Sequence, residues 1–150
     1  MGIKLPNDFK EFLKLLTKHN VKYLLIGGYA VSYYGYPRAT QDLDIWIAIH
    51  PQNAKCVVMA LHEFGFDLPD LTLDLFLAQK SIVRMGLPPM RIELMTTISG
   101  VDFDACYNRR NKTEIDGVMI NIIDLPDLRL NKQASGRHKD LDDLEHLPEP

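Results

Sequence analysis

Asp42 and Asp44 stand one residue apart in the stretch DLDIWIAI. In a β-strand, residues two apart project from one face and lie about 7 Å apart along the axis. Carboxylates so placed can converge on one or two hard cations, and an all-oxygen site of that kind suits Mg²⁺ or Mn²⁺ rather than zinc. An Asp-x-Asp pair is also an ordinary solvated strand edge, so it needs context. Residues 90–95 (MRIELM) supply some: alternation sets Glu93 opposite Ile92 and Leu94, and a neighbouring strand would bring it beside the aspartates. Upstream, Gly27-Gly28 follows an apolar run and opens a helical stretch, where backbone N–H groups can meet a phosphate with no side chain in the way. A plain turn explains two glycines equally well.

These residues need elements to position them. Leu43 to Ile49 alternates, with Leu43, Ile45 and Ile47 on one face and Asp42, Asp44 and Trp46 on the other, and the tryptophan suggests a partly covered cleft. Val21 to Ile26 reads as a buried strand and Tyr29 to Tyr34 as a short helix closed by Gly35 and Pro37. Before them, Asn7 or Asp8 is placed to cap a helix carrying Phe9, Phe12, Leu13 and Leu16, which stops near Asn20. Pro51 and Gly65 bracket another helix. Residues 67–80 are apolar enough for a further short helix, Ile82–Met85 and Met90–Met95 flank a GLPP turn as paired strands, and 102–107 suits a short helix. An Asp116-Gly117 turn joins two last strands, and helices on either side of Gly136 finish the chain.

Other polar residues carry weaker signals. Arg38 and Thr40 precede the aspartates and could contact phosphate, or sit in an exposed loop. Lys132, Arg137 and Lys139 form the best local basic cluster, and on charge alone they read as a solvated helix face balanced by Asp140, Asp142 and Asp143. Tyr29, Tyr33, Tyr34 and Tyr36 lie near the glycines, where one could stack on a base. The five histidines show no metal-ligand spacing, and Cys56 and Cys106 lack the close spacing of a zinc or redox motif.

A length of 150 residues suits one domain, 1–150, with short C-terminal helices from about 125. The net charge of −3 gives no global attraction to a polyanion. No apolar run approaches the ~20 residues of a membrane span and the N-terminus lacks the core of a signal peptide, so a cytoplasmic location is expected.

Taken together, Gly27-Gly28, then Arg38-x-Thr40-x-Asp42-x-Asp44, then a distant acidic strand residue resemble the nucleotidyltransferase fold of the DNA polymerase beta superfamily. Within it the chain is most similar to the small bacterial nucleotidyltransferases grouped with abortive-infection toxins and minimal nucleotidyltransferase antitoxins. The stretch LRLNKQASGRHKDLDDLEHL extends the match over most of the chain. The resemblance implies an α/β (α+β) fold, a mixed β-sheet with helices packed on one face and the metal site on the other. It implies that Gly27 and Gly28 hold a triphosphate, that Asp42 and Asp44 bind Mg²⁺ or Mn²⁺, and that Glu93, where many relatives have Asp, completes the site. It also raises Lys132 and Lys139 as residues for nucleotide contact or for holding the site together.

The implied activity is metal-dependent transfer of an NMP from an NTP, ATP among the candidates, to a hydroxyl on a protein, an RNA or a small molecule, within a toxin–antitoxin or abortive-infection system. With little chain left for an acceptor domain, a partner protein or a second copy is expected to supply that surface. The alternative is a non-catalytic binding module of the same fold, an antitoxin that regulates a partner. A haloacid-dehalogenase-like phosphatase would place its apolar strand before the first aspartate, whereas here it follows. A glycosyltransferase would need room for two domains.

Overall fold

The apolar run before the glycines becomes an interior strand. In the computed structural model, which describes residues 2–38, 42–67, 69–87 and 90–149, β1 (Tyr23–Ile26) is buried at every position. It pairs antiparallel with β2 (Leu43–Ile47) and parallel with β6 (Val118–Ile122). A strand with neighbours on both sides and both faces covered has no polar face to show, so it reads as a continuous apolar run. With β3 (Ile82–Met85), β4 (Ile92–Met95) and β5 (Asn111–Ile115), the sheet is mixed and ordered β3-β4-β2-β1-β6-β5. Pairing between β2 and β4 is parallel, while β3–β4 and β5–β6 are antiparallel. The expected α/β class with a mixed sheet is the observed one.

Leu43, Ile45 and Ile47 share one core with the buried stripes of α1 (Asn7–Lys18) and α3 (Pro51–Phe64). Phe12 and Phe64 join the two helices edge to face at 5.2 Å. Gly65 ends α3 at φ 110°, as its position after the helix suggested. The start of α1 differs from expectation. Pro6 takes the capping position, its φ of −55° leading into the helix, and no side chain closes that end, so neither Asn7 nor Asp8 is the cap. Asn53 of α3 accepts from the Lys22 amide and donates to the carbonyls of Lys22 and Ala48, which pins the helix to the ends of β1 and β2 and satisfies a buried amide.

Residues 67–80 do not form the expected helix. Among the described residues of this stretch there is a single 3₁₀ turn, Leu73–Phe76. Thr96, just after β4, donates to the Ala78 carbonyl and accepts from the Ser81 amide, drawing this segment onto the sheet edge instead.

Trp46 also departs from its reading. It is 2% exposed, capped edge-on by Phe103 of α4 (Phe103–Asn108) at 5.0 Å, and its indole N–H donates to the Thr96 carbonyl. The tryptophan therefore belongs to the core, and the open part of this sheet face begins two residues earlier, at Asp44. The tyrosines are committed to structure as well. Beyond α2 (Gly27–Tyr33), Tyr34 donates to the Ile123 carbonyl, and Tyr36 donates to Asp142 and stacks on His146 of α6 (His138–His146). Tyr29 packs edge-on against Phe9.

Candidate active site

Alternation puts Asp44 and Glu93 on polar positions of their strands, and the parallel register of β2 and β4 makes them direct neighbours. Ile26 faces Asp44 from β1, and Arg84 faces Glu93 from β3. One row therefore crosses four strands as Ile26, Asp44, Glu93, Arg84. Asp42, two residues before Asp44 and on the same face, completes a cluster in which one oxygen from each of Asp42, Asp44 and Glu93 lies within 4.8 Å of the others. The cluster borders an open cleft of about 670 Å³, whose far wall includes Lys132 of α5 (Leu125–Ser135) and Lys139 of α6.

Three carboxylates this close repel one another. Burial, then the charges of Glu93 and Asp42, push the Asp44 carboxyl up to about 7, and Lys139 and Lys132 only partly offset the rise. Two arginines neutralise the rest of the cluster. Arg91 donates to Asp42 Oδ2 through Nη2 at 2.8 Å and Nε at 3.2 Å, and its Nε also lies 3.3 Å from Glu93 Oε1. Arg84 meets the same Oε1 at 3.2 Å. The other oxygen of Asp42, Oδ1, is buried with no hydrogen-bond partner among the described residues. With that oxygen buried beside two further carboxylates, a hard divalent cation with oxygen preference fits the donors present.

Gly27 explains why the glycines follow β1 at this point. Its φ is +72°, and a Cβ added there would stand 2.1 Å from Asp44 Oδ2 and 2.9 Å from its Cβ and Cγ. Only a residue without a side chain can turn the chain here and leave room for that carboxylate. Gly28 is different: it is a buried residue within α2 and does not line the cleft.

Of the cations singled out from sequence, Lys139 borders the cleft and acts electrostatically on Asp44. Lys132 also borders it but is only 4% exposed, with its ammonium 3.2 Å from Asp140 and 3.1 Å from Asp143. Arg38 is turned away, bonded through Nε and Nη2 to both oxygens of Asp143. Asp140 and Asp143 are themselves 0% and 1% exposed, so three of the charges read as a solvated helix face, Lys132, Asp140 and Asp143, form a buried ion-pair cluster that docks α6 on α5 and on the loop after α2, while Arg137, Lys139 and Asp142 stay exposed. Thr40 lies outside the described residues. Arg84 and Arg91 were missed as site residues, although both were accessible: Arg91 shares the strand face of Glu93 two residues away, and counting back through the β3–β4 hairpin brings Arg84 opposite Glu93.

Residues 6–149 match the family described as nucleotidyl transferase of unknown function (DUF2204), and the chain belongs to that family. A crystallised candidate nucleotidyltransferase from Thermotoga maritima shares its fold, with a TM-score of 0.61 and 16% sequence identity over 91% of this chain and 88% of that one. No curated protein matches the chain. No helix among the described residues is long and apolar enough to cross a membrane.

Proposed function

We propose that the protein is a divalent-metal-dependent nucleotidyltransferase that moves an NMP from an NTP to a hydroxyl acceptor. The observation that carries this reading is the register pairing of Asp44 with Glu93, which gathers three carboxylates within 4.8 Å beside Gly27 at the edge of a cleft. Mg²⁺ or Mn²⁺ held by Asp42, Asp44 and Glu93 would neutralise charge on the transferred phosphoryl group.

The chain's own groups supply position and proton transfer. Gly27 leaves space beside Asp44 for a phosphate, with Gly28 setting the start of α2 behind it. Lys139 faces the cleft as a phosphate contact, and Thr40, two residues before Asp42 in sequence, is a further candidate for that role. Lys132 and Arg38 act as positioning residues through Asp140 and Asp143. In the transfer, the acceptor oxygen bonds to the α-phosphorus and the bond from that phosphorus to its bridging oxygen breaks. Pyrophosphate leaves with the bonding electrons. The hydroxyl proton passes to Glu93 Oε2, since Arg84 and Arg91 both meet Oε1.

The acceptor class, protein, RNA or small molecule, and a role in a toxin–antitoxin or abortive-infection system rest on the motif resemblance. Incubation with each α-³²P-labelled NTP, Mg²⁺ and fractionated lysate tests the reading. Label should move from one NTP to one fraction, and Asp44→Asn should abolish the transfer. If no NTP labels any fraction, the enzyme reading fails. A non-catalytic module of the same fold is the second reading, and the observation favouring it is that Arg84 and Arg91 already neutralise two of the three carboxylates.

A further inference from the structure

At the opposite end of β1 from Gly27 lies a second cavity of about 500 Å³, between the end of α1, the end of α4 and the β5–β6 hairpin. Among the described residues its lining contains three cations, Lys22, Arg110 and Lys112, and no acidic side chain. That is unusual in this chain, whose formal net charge is −3. Of its seven arginines, Arg38, Arg84, Arg91, Arg109, Arg129 and Arg137 each meet a carboxylate. Arg110 is the exception among the described residues.

Arg110 is nevertheless held in place, by neutral groups. Its guanidinium carbon sits 3.9 Å from the centroid of the Tyr107 ring, Nη1 donates to the Tyr107 carbonyl at 2.9 Å, and Nε donates to Asn121 Oδ1 at 3.3 Å. Tyr107 is fixed in turn by stacking on Phe103 at 5.5 Å, and Lys22 lies 5.8 Å from the same ring. These contacts orient the guanidinium without cancelling its charge, and they leave Nη2 uncommitted among the described residues. A pre-oriented guanidinium with two flexible ammonium groups around it suits a compact dianion, which accepts several charge-assisted hydrogen bonds. The cavity exceeds a bare phosphate, and Val21, Met119 and Ile120 give it an apolar side.

We infer that this cavity binds a small phosphomonoester, with Lys22, Arg110 and Lys112 on the phosphate and the apolar wall against the organic portion. The site is separate from the carboxylate cluster and does not depend on the proposed transfer activity. Glu114, two residues from Lys112 on the same edge strand, is the nearest acid in sequence and does not line the cavity.

The test is an NMR titration of the uniformly ¹⁵N-labelled protein with inorganic phosphate and with phenyl phosphate, without divalent cation. Saturable shifts should appear at the amides of Tyr107, Arg110 and Asn121, with phenyl phosphate the tighter ligand. Arg110→Gln should weaken binding by about 10-fold or more, the scale of a lost hydrogen bond between charged groups. Lys112→Gln, at an exposed position that leaves the fold unchanged, should weaken it several-fold, and Asp44→Asn should leave it unaltered. Absence of saturable shifts up to about 10 mM, equal affinity for the two ligands, or shifts confined to the residues around Asp44 would each overturn the assignment.

Discussion

Glu93 lies beside Asp44 as its register partner on a parallel strand, and Arg91 spans from Asp42 to Glu93 across the same cluster. Two carboxylates side by side on neighbouring strands are destabilising unless something positive joins them. The arginines do so in part, and Asp44 is left as the member held by no ion pair among the described residues.

Asp44→Asn should therefore separate stability from activity. The change removes a largely buried carboxylate that faces two others, so without divalent cation the melting temperature should rise by roughly 2–4 °C per kcal/mol of strain relieved. Transfer should fall on the order of 10³-fold, since a lost cation ligand costs several kcal/mol of transition-state stabilisation. Paired melting curves and transfer assays check this. A variant that melts lower and still transfers would mean that Asp44 supports the fold rather than the chemistry.

Gly27→Ala should do the reverse. The positive φ costs any other residue about 1–2 kcal/mol, and the new Cβ meets Asp44 Oδ2, so that carboxylate must move. Expected are a melting temperature lower by several degrees and a Mn²⁺ affinity weakened at least 10-fold, read by titration calorimetry. Gly28→Ala, at a helical position that does not line the cleft, is the comparison that should keep Mn²⁺ affinity near wild type. Unchanged Mn²⁺ binding in Gly27→Ala would show that the glycine serves only the turn.

How much of this could be read in advance depended on whether the information was local. Alternation in LDIWI and MRIEL places Asp44 and Glu93 on polar strand faces, and the hairpin turns and glycine caps follow from residue type. That β2 and β4 are parallel neighbours is not local: the strands are far apart in the chain, and their register depends on the long crossover between them. Trp46 was misjudged because alternation reports a face, while Phe103, from an element far along the chain, decides whether that face is covered. On charge alone Lys132, Asp140 and Asp143 of α5 and α6 read as part of a solvated surface, because charge usually is. Their burial depends on Arg38 reaching Asp143 across 105 residues, which no local pattern records.

That same cluster should govern acid stability. Asp140 is fully buried, which alone would raise its carboxyl, but hydrogen bonds from Arg137 and Ser135 and the charge of Lys132 hold it well below the ordinary range. A depressed carboxyl contributes stability that is present above its unfolded value near 3.9 and is lost as pH falls below it. Unfolding by urea should show this loss below about pH 4, and Asp140→Asn should flatten it. Asp143→Asn removes the partner of Arg38 and one of the two partners of Lys132, which keeps Asp140, and should cost about 1–3 kcal/mol at neutral pH. An Asp143→Asn variant as stable as wild type would deny the cluster its role in docking α6.

The final expectation concerns Glu93 and Arg91 together, because each could account for the other. If Glu93 takes the acceptor's proton, Glu93→Gln should bind Mg-NTP within a few-fold of wild type and transfer about 10²–10⁴-fold more slowly, a loss in turnover. If Glu93 exists only to pair with Arg84 and Arg91, both partly exposed, its loss should change stability by about 0–1 kcal/mol and leave turnover alone. Arg91→Gln separates the two further. Removing its guanidinium from Asp42 exposes the full negative charge of the cluster, so affinity for Mn²⁺ should rise while the cation-free protein becomes less stable. Single-turnover transfer and NTP affinity for Glu93→Gln, set beside Mn²⁺ titration of Arg91→Gln, decide the matter. Near-wild-type transfer in the first variant would remove Glu93 from the reacting groups, and weaker Mn²⁺ binding in the second would mean that Arg91 organises the cation site instead of competing for it.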